Sequence, residues 1–339
     1  MTPREVVIAA LSHRETPVVP FQVGYTAQEY QKMLAYTGNQ DFAAIGSRYL
    51  HGFSYDGYPT ACPDRAEHFV DDYGVIWNRS GADKDIGVVD TPTIPEPDLS
   101  LFREPCVDED RIRRDCEHVI RTRGDRFTHA GIGFSLFERL WSYVGMENAL
   151  VYMLTDKEFV HGLLDRICAY NLKIIDIMNE YPFDGMYFGD DWGQQRGMIM
   201  GAPLWREFIK PRLQKMYAHA SRNGKFIIQH SCGDIHEVLE DLIEIGLDCY
   251  QTFQPEIYDM AAVKEQVGDR LSFWGGISTQ AALPNKSPDE IRKIVRDTLR
   301  IMKKGGGFIV GPTHAIPQDV PPENVLAMLD EFLHQNCEV

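Results

Sequence analysis

A (β/α)8 barrel is the fold class predicted by this 339-residue sequence, and three observations predict it. From residue 126 onward, short apolar runs alternate with helical stretches in a steady rhythm, and each strand–helix–strand passage implies parallel neighbours. Two earlier units bring the number of strand-then-helix units to eight. The C-terminal ends of the later strands carry polar and glycine residues, whereas the opposite ends carry plain turns such as Asn223-Gly224, Gly246, Gly268-Asp269 and Gly305-Gly306. A doubly wound open sheet alternates in the same way. It usually places a Gly-rich phosphate turn after its first strand, and none stands here.

In order, Thr2 and Pro3 cap a short helix over 2–12. Val18 to Val23 reads as the first strand, followed by a helix through Tyr30 and Leu34, and Arg48–Phe53 reads as the second strand. Residues 54–105 are rich in Gly, Pro, Asp and Tyr, with a β-ribbon over His68–Asp72 and Gly74–Arg79. So long a stretch without core periodicity predicts an insertion serving as lid or interface, within a single domain spanning 1–339. A charged helix follows over 108–123, then a strand at Arg126–Gly131, helices over 135–144, 146–154 and 156–181, and a strand at 184–188. Helix 203–222 precedes four further units: strand 225–230 with helix 235–245, strand 248–252 with helix 259–267, strand 271–275 with helix 287–303, and strand 307–311 with helix 322–335.

Composition bounds the function. Hydrophobic residues are 44% and charged residues 25%, ordinary for a globular enzyme. The formal net charge of −16, with no basic stripe, argues against nucleic acid as a partner. No apolar run is long enough for a bilayer and no basic-then-apolar leader opens the chain, so a cytoplasmic, membrane-free protein is expected. Seven cysteines (62, 106, 116, 168, 232, 249 and 337), without any CxxC pair, fit reduced thiols, one or two of them recruited for chemistry.

In a barrel, chemistry collects at the C-terminal ends of the strands. Strand 225–230 ends in His230-Ser231-Cys232-Gly233, which sets an imidazole and a thiol two residues apart and on the same side of an extended segment. Such a pair reads either as a core histidine beside an inert thiol or as two ligands of a borderline metal, zinc being the commonest. His314, after the last strand, completes a set of three, the number a catalytic zinc needs with one position left open. Asp190 and Asp191 end strand 184–188; alternation sends only one of them to the barrel axis, as fourth ligand, acid–base group or partner of a ligand histidine. Trp192, Phe253, Trp274, Phe134 and Trp141 read either as packing or as the walls of an apolar pocket. Glu138 and Arg139 read as helix-surface residues, and Gly305-Gly306-Gly307 as a turn.

Five of these stretches carry a likeness to a known family: Tyr187-Phe188-Gly189-Asp190-Asp191-Trp192-Gly193, Trp205-Arg206-Glu207-Phe208-Ile209-Lys210-Pro211, His230-Ser231-Cys232-Gly233, Phe273-Trp274-Gly275-Gly276-Ile277 and Gly311-Pro312-Thr313-His314. With Val320-Pro321-Pro322-Glu323-Asn324, the run from Asp184 to Asn324 resembles the uroporphyrinogen decarboxylase-like superfamily, and within it the zinc-dependent, corrinoid-linked methyltransferase branch. The resemblance implies a (β/α)8 barrel with zinc at its mouth, and methyl transfer to or from the cobalt of a corrinoid (cobalamin) carried by a partner protein. It also implies a homodimer. Two departures sharpen it. The stretch from His13 to Tyr25 lacks the arginine cluster with which true decarboxylases of the superfamily neutralise a polycarboxylate. The coenzyme-thiol methyltransferases of the branch supply Cys as last ligand, where this chain has His314. One anionic ligand instead of two leaves a more electrophilic zinc, suited to a methylated oxygen donor such as an aryl methyl ether. A lyase acting on a carboxylated substrate is the alternative reading.

Overall fold

A computed structural model describes residues 1–81 and 87–335; Cys337 and the far end of the expected single domain lie outside them. Seven parallel strands form one curled sheet flanked by helices: β1 (Leu50–Tyr55), β2 (Phe127–Ile132), β3 (Gly185–Gly189), β4 (Phe226–His230), β5 (Cys249–Phe253), β6 (Ser272–Ile277) and β7 (Phe308–Pro312). Each pairs with the next in sequence, so the strand ends bearing chemistry all face one way. Every residue of β6 and β7 is buried, the pattern expected of parallel strands covered on both faces.

The helices follow from amphipathic spacing and caps. Pro288–Met302 buries Ile291, Val295, Leu299 and Met302 on one face, and Ser287 and Glu290 close its first turn as a capping box. Thr2 and Glu5 do the same for Pro3–Leu11. The helix expected over 203–222 is divided: Gly201–Leu204, a wide π-turn over Trp205–Ile209, then Lys210–Ala220. Pro211 explains the break, because it has no N–H to return to the preceding turn. Among the described residues, no helix is long and apolar enough to cross a membrane.

The eighth expected strand needs correction. Val18–Val23 forms no ladder; it is joined to β7 by a single bridge, Phe21 to Val310. Gln22 N–H donates to the Val310 carbonyl (3.2 Å), and Val310 N–H donates to that of Pro20 (2.9 Å). Pro17 and Pro20 bring no N–H groups, so the pairing cannot propagate.

Between β1 and the Glu109–Thr122 helix lies a separate antiparallel sheet of four short strands, Thr60–Ala61, His68–Val70, Ile76–Asn78 and Val88–Val89. A buried ion pair fastens it to the sheet's C-terminal end. Arg139 Nη1 donates to Asp71 Oδ2 at 2.8 Å, with side-chain exposures of 0% and 3%. Arg139 is therefore an interior residue and not the helix-surface residue its sequence context suggests. Asp71 also accepts from the Tyr73 and Val75 N–H groups (3.0 and 2.9 Å) and from Trp77 Nε1 (3.0 Å), so its carboxylate is held by four donors.

Candidate metal centre

β4 delivers His230 at its last residue and Cys232 just beyond it. His230 Nδ1–H donates to Gln251 Oε1, which also accepts from the Tyr187 hydroxyl at 3.0 Å. Gln251 stands directly opposite His230 in the β4–β5 register. The bond fixes the tautomer and leaves Nε2 as the lone-pair nitrogen, as a ligand histidine requires. That nitrogen lies 3.5 Å from Cys232 Sγ. His314, two residues beyond β7, closes the group: the ligand atoms of His230, Cys232 and His314 all lie within 4.8 Å of one another. Tetrahedral zinc with such ligands spaces its donor atoms by about 3.4–3.8 Å. Burial pushes the Cys232 thiol up, so a thiolate there needs a cation beside it. Two imidazoles and one thiol in this arrangement fit zinc.

The two adjacent aspartates separate. Asp191 faces the cluster: its Oδ1 accepts from Cys232 N–H at 2.8 Å and lies 3.3 Å from His230 Nε2. Burial works against its charge, but a positive charge at His230, that of the protonated imidazole when no metal is bound, and the Cys232 N–H outweigh burial and hold it down at about 2. Asp190 lies below the mouth, fully buried, under the N-terminus of the Phe137–Val144 helix. It accepts from the N–H groups of Leu136 (3.3 Å), Phe137 (2.9 Å) and Glu138 (2.8 Å) and from Trp192 Nε1 (2.6 Å). Burial pushes it up to about 6 against the pull of these donors. As a helix cap with its oxygens engaged, Asp190 is the member of the pair turned away from the cavity, and Asp191 the one that faces it.

Two glycines make this juxtaposition. Gly193 and Gly233 meet backbone to backbone: a Cβ built on Gly233 falls 2.1 Å from the Gly193 carbonyl carbon, and Gly233 has φ of 78°. Hydrogen bonds from Gly193 N–H to the Cys232 carbonyl (3.2 Å) and from Asp234 N–H to that of Gln194 (2.8 Å) lock the two loops. Gly233→Ala is expected to separate them. We expect a loss of at least about 1–3 kcal/mol by chemical denaturation, from strain and clash together, with weaker zinc retention measured by metal analysis.

Beside the cluster opens a cavity of about 430 Å³, walled by Trp77, Phe134 and Tyr187, by Asp56, Glu138 and Asp191, and by His230 and His314. Arg79, whose guanidinium lies 4.7 Å from the Phe69 ring centroid, is the arginine among its described lining residues. Burial and the neighbouring carboxylates of Asp191 and Asp190 push the Glu138 carboxyl well above its ordinary range, and burial raises Asp56 as well. Glu138 is thus a wall residue, in contrast to its expected place on a helix surface. Of the five aromatics read as packing or as pocket wall, Phe134 lines the cavity, and Trp141 packs against it with ring centroids 5.8 Å apart. Trp192 and Phe253 are wholly buried, the former against Trp205 and the latter against Phe273. Trp274 is also buried, with its ring centroid 6.3 Å from those of Tyr187 and His129. The sequence reading gave no site role to Gln251, Tyr187, Trp77, Asp56 or Glu138; for Gln251 the signal was its place on the next strand, level with His230.

A family model described as uroporphyrinogen decarboxylase (URO-D) matches residues 2–334. The chain is 23% identical over 186 residues to a methylated-thiol–coenzyme M methyltransferase of Methanosarcina mazei, covering 54% of this chain and 47% of that protein. It is 24% identical over 185 residues to a uroporphyrinogen decarboxylase of Coxiella burnetii, covering 54% and 48%. The chain spans about half the length of the curated relatives it matches. Among solved structures, a methyltransferase from Methanosarcina mazei superposes with a TM-score of 0.73 at 18% identity, over 98% of this chain and 99% of that one, a likeness of fold.

Proposed function

The chain belongs to the uroporphyrinogen decarboxylase family, and from that premise we propose that it is a zinc-dependent methyltransferase moving a methyl group from a small methylated donor to the cobalt of a corrinoid protein. The observation that carries this reading is the convergence of His230, Cys232 and His314 beside the cavity. The methyltransferase of Methanosarcina mazei among its relatives supports it. His230, Cys232 and His314 would hold the zinc, which when bound supplies Lewis acidity toward charge developing on the leaving oxygen. Because the third ligand is an imidazole, we assign a methyl–oxygen bond, as in a methoxylated aromatic, as the bond broken.

The chain's own residues have separable tasks. Gln251 and Tyr187 orient His230, while Asp191 holds the Cys232 backbone and stays ionised beside the cluster. Trp77 and Phe134, 5.4 Å apart and edge to face, offer the donor's ring an apolar wall. Segment 54–105, an insertion in a single-domain chain, serves as lid and as the surface against which the corrinoid protein docks. A lyase acting on a carboxylated substrate fits less well, because the described cavity wall offers one arginine, Arg79, and also bears the ionised Asp191.

The test presents methoxylated aromatics, methylamines and methanol to the zinc-loaded protein with cob(I)alamin, and follows cobalt methylation by absorbance. Methoxylated aromatics are expected to methylate cobalt fastest. Transfer only from methyl-cobalamin to a thiol sinks the oxygen-donor assignment, and absence of any methyl transfer with decarboxylation of a carboxylated substrate favours the lyase.

A further inference from the structure

The three candidate ligands are not held alike. His230 and Cys232 are built into the end of β4, where Gln251 and Asp191 fix them. His314 stands in the stretch between Pro312, which ends β7, and Pro322, which begins the next helix, and this stretch contains neither helix nor strand. Before His314, Thr313 is held from the sheet side, its N–H donating to the Ile277 carbonyl (2.9 Å) and its Oγ1 accepting from Thr279 N–H (3.2 Å); beyond His314 the stretch is fastened by the N-terminal part of the chain.

Ile316 N–H donates to the Gly24 carbonyl at 2.9 Å, and the Ile316 carbonyl accepts from Thr26 N–H (3.1 Å) and Thr26 Oγ1 (3.2 Å). One turn into the Ala27–Thr37 helix, Lys32 Nζ donates to the carbonyls of Gln318 (2.6 Å) and Val320, and lies 2.7 Å from Glu29 Oε2. Two of the ammonium's hydrogens are thus committed to loop carbonyls, and its charge stands against Glu29 as an ion pair. Glu29 is fully buried, a costly place for a carboxylate unless its charge is matched. Its match is the same ammonium that grips the loop.

We propose that Glu29 and Lys32 are positioning residues for His314: the pair anchors the 315–320 loop and so sets where the third imidazole is presented to the metal. The inference rests on the zinc reading above. It divides the centre into a two-ligand half on β4 and a third ligand on a loop held on one side by the sheet, through Thr313, and on the other by a helix outside it.

The experiment measures zinc affinity by competition with a chromophoric chelator, in four full-length proteins: wild type, the Glu29→Gln/Lys32→Met double variant, His314→Ala, and all three changes together. Changing Glu29 and Lys32 jointly strands no buried charge. Wild type that holds no stoichiometric zinc defeats the zinc reading itself. Given zinc in wild type, the double variant is expected to bind it about 10–100-fold more weakly. In the His314→Ala background the same two changes should alter affinity little. Equal affinity of the double variant and wild type overturns the proposal, as does an equal loss in both backgrounds, the mark of a general loosening of the fold. If the double variant does not fold, Thr26→Val, which removes the hydroxyl bond to Ile316 together with the N-cap bond that the same hydroxyl accepts from Glu29 N–H, carries the same comparison in both backgrounds with a smaller expected loss.

Discussion

The His230→Ala/Cys232→Ala double variant is expected to lose zinc and methyl transfer together, with the fold intact. Both side chains stand at the end of β4, with His230 partly buried and its Nε2 3.5 Å from the Cys232 sulfur. Truncating them leaves His314 alone of the three, and one imidazole does not retain the ion. A Lewis acid is worth several kcal/mol of transition-state stabilisation, so transfer should fall by roughly 10²–10⁴-fold. The neighbouring strands pair through backbone groups, which the alanines leave in place. Metal analysis should therefore change from one zinc per chain to none, while circular dichroism does not. Chelation of the wild type should reproduce the kinetic loss, and added zinc should reverse it. Full activity in the metal-free variant rules out the metal's role.

The second large effect lies away from the candidate ligands. Arg139→Met should cost about 3–5 kcal/mol, because it strands the Asp71 carboxylate in the interior. Arg139 does more than neutralise Asp71. Its Nη2 donates to the Asp56 carbonyl at 3.0 Å, and its guanidinium carbon lies 3.6 Å from the Tyr73 ring centroid. The four-stranded sheet that bears Trp77 and Arg79 is thus tied through one cation to the helix behind Glu138. The loss should appear in urea denaturation and as faster proteolysis within residues 57–81. Adding Asp71→Asn to Arg139→Met should recover part of it, since the amide keeps an acceptor for Trp77 Nε1 and removes the stranded charge. Unchanged stability in the single variant contradicts the anchoring role.

These two sites also show where the sequence speaks and where it does not. His230 and Cys232 were legible because a strand's two-residue repeat and the glycine after it are local facts. His314 followed from its place after the last strand. The strand–helix rhythm gave the sheet order from β1 to β7, and failed only where Pro17 and Pro20 deprive an apolar run of the donors a ladder needs. Arg139 and Asp71 are 68 residues apart, and an arginine on a helix looks the same in sequence whether it meets water or a buried carboxylate. Asp190 and Asp191 differ by one position, and only the arrival of the Phe137–Val144 helix makes the first a cap and leaves the second beside His230 and Cys232. Trp192 was misplaced for the same reason: its indole N–H was already committed to Asp190. Long-range partners of charged and aromatic groups are set by tertiary packing, which no local period encodes.

The proline-interrupted stretch beside β7 has one more consequence. A sheet whose other neighbours share several backbone bonds is joined at this seam by a single bridge at Phe21. Amide hydrogen exchange should therefore be uneven around the sheet, fastest for the N–H groups of Gln22 and Val310 and slowest in the centre at β3 and β4. The loop bearing His314 springs from the strand that borders this seam. On the proposed zinc reading, release of the ion is expected to keep pace with exchange at Gln22 and Val310 and not with exchange at the centre of the sheet.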